Sequence, residues 1–586
     1  MATRQHDIVI RGGTIVDGSG APAFVGDVAI DGDWISEVGT VAGTGQREID
    51  ASGLLVTPGF VDIHTHYDGQ LIWSEFLAPS SNHGVTTVVT GNCGIGFAPC
   101  RPGDHLALIE LMEGVEDIPE AVTSAGLDWS WETFPEFMNA VEQRNHDIDF
   151  AVMMPHSALR VYVMGERAIR REPATDEDMS KMKELMTEAI SIGAAGVGTS
   201  RVHVHKSSSG DLIPTFGVSA DEMVALGEAM TEAGSGVFQM VGAIGEGGPT
   251  GDFDIMRRVA QETGRQVTFT SAQSAQAPYQ YRDLMKALGD VNDKGGKVTA
   301  QLFPRPIGLM IGLSATTNPF CMTPAWDEIA DLPLAEKVAR MREPEMRERL
   351  TQEEAGDPKH PLFPMCRNFA QLFPLDIESP NYEPDESTNM QAQADAAGIP
   401  VEQFVYDKLL EDDGNNLMIS TLGNFALYNL DHVIEMLNHP NVVVGLGDGG
   451  AHYGMICDAS YPTTGLTHWV RDREGTRFSL EKMVQTLTRD PAEVFGLNDR
   501  GLLQPGYRAH ANLIDHDNLK LYRPEIVNDL PGGGRRLHQR ATGYVMTIVN
   551  GQITRENDAP VGALPGQLLR GPQQPRTSQF EAEAAE

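Results

Sequence analysis

Eight short runs of mostly apolar, β-prone residues recur along this chain, and where the pattern is clear each is followed by polar loop residues and a one-sided helix. They are GFVDIHTH from Gly59, TTVVTGNC from Thr86, IDFAVMMPH from Ile148, AAGVGTSR from Ala194, GVFQMV from Gly236, QVTFTSA from Gln266, KVTAQLFPRP from Lys297 and VVVGLGD from Val442. Strands with one wet face alternate polar and apolar residues, whereas parallel strands covered by helices are apolar throughout. Eight such units are what a closed (β/α)8 TIM barrel requires, so the spacing predicts an α/β chain of that architecture, with a doubly wound open sheet as the rival. Helices between the runs are legible. Thr175 precedes one with a buried stripe at Met182, Leu185, Met186, Ala189 and Ile190, and Ser219 with Glu222 predicts a capping box before another.

Both chain ends read differently. Residues 1–57 and 501–558 alternate short strands with Gly and Asp turns, which predicts one small β-sandwich built from the two termini around a barrel at 58–500. About 135 residues, Ile307 to Val442, separate the last two barrel runs; 307–440 is expected to be a helical cap inserted over the mouth. GEGGPTG at 245–251 reads as a loop after the fifth strand, and 559–586 as a free tail.

Charge narrows the partners. Lys+Arg 44 against Asp+Glu 82 gives 44 − 82 = −38, which repels phosphate backbones and anionic lipid, so neither nucleic acid nor membrane is expected. No apolar run approaches the roughly 20 residues that cross a bilayer, and Met1–Asp7 lacks the apolar core of a secretory signal, so a cytoplasmic location is expected. A homo-oligomer stays open. The five cysteines (Cys93, Cys100, Cys321, Cys366, Cys457) are too sparse to staple the fold, leaving ligand or nucleophile as the roles for any that matter. No G-x-S-x-G elbow and no phosphate-binding Gly-Lys-Ser/Thr loop is present.

Barrel enzymes carry their chemistry at the C-terminal ends of the strands. Those ends hold His64 and His66, Asn92 and Cys93, His156, Arg201 with His203 and His205, Arg305, and Asp448 with His452 beyond it; strands five and six end quietly at Gln239 and Ser271. A His-x-His pair on a strand can converge on one divalent ion, although such a pair is more often polar decoration. Cys93 reads either as a small buried hydrophobe or as a thiolate ligand. For a carboxylate-bearing substrate, Arg201, Arg160 and Arg305 are the candidate cationic clamps, Arg201 first, with His156, His203 and His452 as substrate-orienting groups.

PGFVDIHTHYDGQ, GVTTVVTGNCG, HSALR, GLGDGGAH and TRDPAEVFGLNDRGLLQPG together resemble the amidohydrolase superfamily, in particular its N-acyl-D-amino-acid deacylase (D-aminoacylase) branch. The resemblance implies zinc at the mouth, held by His64, His66, Cys93 (in place of a carboxylated lysine) and Asp448 as ligand or proton carrier. It also implies hydrolysis of a linear amide such as an N-acyl amino acid. That family normally supplies a histidine at the ends of strands five and six, and this sequence has Gln239 and Ser271 there, so one ion is expected instead of two. Two other readings stay open: a cyclic-amide or other acyl hydrolase, and a non-catalytic small-acid-binding protein on a degenerate hydrolase scaffold.

Overall fold

A computed structural model describes residues 4–242, 251–354, 356 and 363–576. The eight apolar runs form the strands Phe60–Asp62, Val85–Thr90, Asp149–Val152 (continued by Met154–Pro155), Gly196–Ser200, Val237–Val241, Gln266–Ser271, Val298–Leu302 and Val442–Val444. Each pairs in parallel with the next. The ring closes where Thr65 bridges Gly449 in parallel, with Asp448 N–H donating to His64 O at 3.0 Å and His66 N–H to Gly449 O at 2.8 Å. The closed barrel, not the open sheet, is the architecture.

Register fixes which side chains enter the barrel. Phe269 packs edge-on against Phe253 of the helix Gly251–Thr263 at 5.7 Å, so it faces outward. Strand alternation then turns Thr268 and Thr270 inward, and direct pairing carries Gln239 and Gln301 with them. Ser271 shares the face of Phe269 and is no candidate to replace an inward histidine; Thr270 is the inward residue nearest the end of the sixth strand.

The chain ends interleave in one nine-stranded sheet. Leu55–Pro58 pairs in parallel with Gln5–Ile15 and antiparallel with Ala511–Ile514, which in turn pairs with Tyr544–Val549. Ile10, Ile30, Ile35, Val56, Leu513 and Ile548 form its own apolar cluster.

The insertion is more than helical. Ile307–Ile311, Met418–Gly423 and Leu372–Pro374 build an antiparallel three-stranded sheet, and helices such as Leu334–Met341 and Val401–Leu409 pack beside it around Phe320, Trp326, Tyr406 and Met418. The end of the chain also departs from expectation. Leu569 N–H donates to Phe150 O at 2.8 Å and Arg570 pairs with Glu142 at 2.8 Å, so the stretch up to Arg576 is held by ladder bonds and an ion pair and is not a free tail. Residues 577–586, and 243–250 of the Gly-rich loop, lie outside the described residues. No helix among the described residues is long and apolar enough to cross a membrane.

Thr175 caps its helix with a full capping box to Asp178. Ser219 caps the next helix through Glu222 N–H, but the Glu222 carboxylate does not return the bond, because it is drawn into a buried ion pair described below.

Burial also sets an acid limit. It pushes His83 down to about 3, and His146 and His432 down to about 4. The unfolded chain binds these protons near pH 6.5, so stability is present above that pH and is lost as pH falls toward 4. Each histidine contributes roughly 1.4 kcal/mol per pH unit across that window. The expected result is a Tm that falls steeply between pH 6.5 and 5 in calorimetry; a flat Tm there would contradict neutral burial.

Candidate metal centre

The regular first strand stops at Asp62, and His64 and His66 follow where the chain crosses to Gly449. Both imidazoles are buried, with ring centroids 5.5 Å apart. Cys93 sits in the turn Asn92–Gly94 with φ 57°, a left-handed conformation rare for a side chain of this kind. The turn is held because Asn92 Nδ2 donates to Thr65 O (3.2 Å) and Val89 O (3.0 Å), and Cys93 N–H donates to Gln239 Oε1 at 3.1 Å. Asp448, in the turn after the eighth strand, is also left-handed at φ 46°. Such strain in three-dimensional proximity marks a site that the surrounding structure holds in place.

Three donor atoms converge, and a carboxylate oxygen stands beside two of them. Cys93 Sγ is 3.6 Å from His64 Nε2 and 3.9 Å from His66 Nε2; Asp448 Oδ1 is 3.4 Å from His64 Nε2 and 3.6 Å from His66 Nε2. Bonds of about 2.0–2.1 Å to N or O and about 2.3 Å to S give tetrahedral edges of roughly 3.4 Å between N and O and roughly 3.6 Å between N and S. These four edges match within a few tenths of an ångström, so His64, His66 and Cys93 fit a divalent ion, with the Asp448 carboxylate on the histidine side of the group. His64, His66 and Cys93 are also the histidine–cysteine group whose ligand atoms lie within 4.8 Å of one another.

Protonation agrees. Burial pushes His64 down to about 4, leaving a neutral imidazole. Its Nδ1 lies 2.7 Å from Gln301 Oε1, an acceptor that fixes the proton on Nδ1 and frees Nε2. Burial lifts the Cys93 thiol to about 12, so only a nearby cation would make it a thiolate at neutral pH. Burial alone would raise Asp448, but His66, His64 and His452 overcome it and hold the group ionised, below the usual carboxylate range.

Glu116 has no counterpart among the residues singled out from sequence. It ends the helix His105–Glu116, is fully buried, and places Oε1 3.4 Å from His66 Nδ1 and Oε2 3.5 Å from His452 Nε2. Burial raises it to about 7. The signal was present: Glu116 continues the buried face of Leu108, Met112 and Val115, where a carboxylate has no reason to be unless something pairs with it. His452 lies beside His66, with ring centroids 6.5 Å apart, and its side chain is 16% exposed. His205 shares a contact of 2.8 Å between Nδ1 and Ser200 Oγ, and burial together with the neighbouring His452 and His66 pushes it down to about 3.

Three expected substrate contacts lie elsewhere. His156 Nε2 donates to Glu222 Oε1 at 3.0 Å, its Nδ1 lies 2.9 Å from Thr199 Oγ1, and Arg160 bonds both Glu222 oxygens, so His156 and Arg160 form a buried cluster behind the sheet. Arg305 is fully buried, bonded to Asp458 Oδ1 (2.7 Å), Ser460 Oγ (3.0 Å) and Cys457 O, and stacked 4.0 Å over Tyr382. Both guanidinium groups are buried and paired with internal carboxylates, Glu222 and Asp458. Arg201 is partly buried and bonded to Asp252 Oδ1 (3.1 Å) and Val218 O, and His203 is exposed in the loop that follows. Arg305→Ala strands a buried carboxylate at Asp458, and a loss of about 3–5 kcal/mol is expected. A depressed Tm with unchanged KM in the folded fraction checks this; a raised KM at normal Tm would restore the clamp.

The fold and site define a (β/α)8 barrel with a metal-binding donor set at its strand ends. The sequence profile described as the amidohydrolase family matches residues 47–555, and the chain belongs to that family. Over 198 residues it is 35% identical to a D-aminoacylase of Alcaligenes xylosoxydans xylosoxydans, a stretch covering 34% of this chain and 38% of that one. Over 199 residues it is 37% identical to an N-acyl-D-aspartate deacylase of the same organism, covering 34% and 37%. The aligned stretch thus spans under two fifths of these relatives' own length. An uncharacterized protein of Mycobacterium tuberculosis is 25% identical over 589 residues, 94% of this chain and 92% of that one. Among solved structures, an N-acyl-D-glutamate deacylase from Bordetella bronchiseptica, complexed with zinc and a phosphonate inhibitor, superimposes with a TM-score of 0.63 at 20% identity, over 97% of this chain and 100% of that one.

Proposed function

We propose that this chain hydrolyses the C–N bond of an N-acyl amino acid, in the manner of an N-acyl-D-amino-acid deacylase, with one zinc ion at the barrel mouth. The approach of His64 Nε2, His66 Nε2 and Cys93 Sγ to one another, with Asp448 Oδ1 beside the two histidines, carries the reading. The stretches of similarity to a D-aminoacylase and an N-acyl-D-aspartate deacylase support the substrate class. A single ion is favoured because neither inward-facing residue of strands five and six that lies near this point offers an imidazole: Gln239 uses its oxygen on the Cys93 backbone, and Thr270 is a hydroxyl.

A zinc ion so held supplies a Lewis acid for the carbonyl oxygen and lowers the pKa of water. The chain's own residues do the rest. His64 offers a neutral nitrogen, which Gln301 keeps in the required tautomer, whereas His66 must give up a proton to serve as a ligand. Asp448, ionised and with Oδ1 turned to the histidines, keeps Oδ2 to take the proton of the attacking water and return it to the leaving nitrogen. The buried surroundings strengthen each of these interactions by excluding bulk water.

The test is amine release from a panel of N-acetyl-D- and N-acetyl-L-amino acids, with and without a zinc chelator. Turnover of linear D-substrates that is lost on chelation and restored by zinc is the expected result. Chelator-insensitive turnover, or small acids bound without turnover, would overturn the proposal.

A further inference from the structure

We infer that Glu116 is a positioning residue that fixes two imidazoles at once, and this inference rests on the metal reading above. A histidine that gives its Nε2 lone pair to a cation must carry its proton on Nδ1, and a buried N–H needs an acceptor. For His66 Nδ1 the facing acceptor is Glu116 Oε1, at 3.4 Å, and both are buried atoms that no other group satisfies. The second carboxylate oxygen lies 3.5 Å from His452 Nε2, so the same group faces that ring as well.

The backbone shows that the arrangement is built in. His452 N–H donates to Glu116 O, and Asp117 Oδ2 accepts from Gly454 N–H at 2.8 Å. The end of the helix His105–Glu116 is thereby stapled to the turn that follows Asp448, while its last side chain reaches the histidine that follows the first strand. Glu116 ties the element carrying His66 to the one carrying Asp448. A carboxylate in so buried a place is costly unless paired, and among the described residues the groups that pair with it are these two rings. Cation affinity should therefore depend on a residue that contributes no ligand atom.

The experiment is zinc affinity by chelator competition on the full chain, for the parent, Glu116→Gln, Glu116→Asp, His452→Gln and the Glu116→Gln/His452→Gln double variant. Glu116→Gln, nearly isosteric, should weaken zinc about 10–100-fold, and saturating zinc should restore kcat. His452→Gln should cost less than Glu116→Gln, and the double variant should lose less than the sum of the two, because part of the effect of His452 runs through Glu116. If Glu116→Gln does not fold, Glu116→Asp decides, with a smaller but measurable loss. Zinc affinity within twofold of the parent in whichever variant folds would overturn the inference, as would fully additive losses. A parent that binds zinc and loses it on Glu116→Gln, yet cleaves no amide, would sink the hydrolase proposal while upholding this one.

Discussion

His66→Ala should lose bound metal and amide hydrolysis together. The substitution removes one of the three donors that lie within 4.8 Å of one another and leaves Glu116 Oε1 facing an empty space where Nδ1 stood. A four-ligand zinc site worth about 10–16 kcal/mol implies on the order of 3 kcal/mol per ligand, or roughly a hundredfold in affinity. The fold should persist, because the barrel closes beside it through backbone bonds that alanine retains, including His66 N–H to Gly449 O at 2.8 Å. Elemental analysis after dialysis, read beside turnover, checks this. Retention of both metal and activity would exclude the ligand role.

Asp448→Asn separates proton transfer from scaffolding. Asparagine tolerates the left-handed backbone that Asp448 adopts at φ 46°, so the turn between the eighth strand and His452 should survive. The amide occupies the same space but cannot accept the proton of a water. Turnover should fall about 10²–10⁴-fold, the range of positioned acid–base groups. His64, His66 and Cys93 still offer three donors, so much of the metal should stay. Near-normal kcat with metal bound would remove Asp448 from the reaction.

The barrel was legible because its strands are buried on both faces and therefore read as unbroken apolar runs, all eight of which pair in order. The donor residues were legible because barrels gather chemistry at strand ends, and His64, His66, Cys93 and Asp448 are the polar residues at three such ends. Partners distant in sequence were not legible. Arg160 meets Glu222 across 62 positions and Arg305 meets Asp458 across 153, so a strand-end arginine gives no sign of whether it faces a ligand or a buried carboxylate. Glu222 shows the cost of a local rule: its spacing from Ser219 predicts a capping box, but a fully buried guanidinium outcompetes a backbone amide for its charge. The cap's sheet escaped for another reason. Leu372–Pro374 is only three residues long and pairs with Met418–Gly423 some 46 positions later, too short and too remote to leave a period.

Anomalous diffraction at the zinc edge from zinc-replete crystals tests the central claim most directly. One peak within bonding distance of His64 Nε2, His66 Nε2, Cys93 Sγ and Asp448 Oδ1 is the predicted result. No peak there, or a second one coordinated by residues of the fifth and sixth strands, would contradict a single-ion centre.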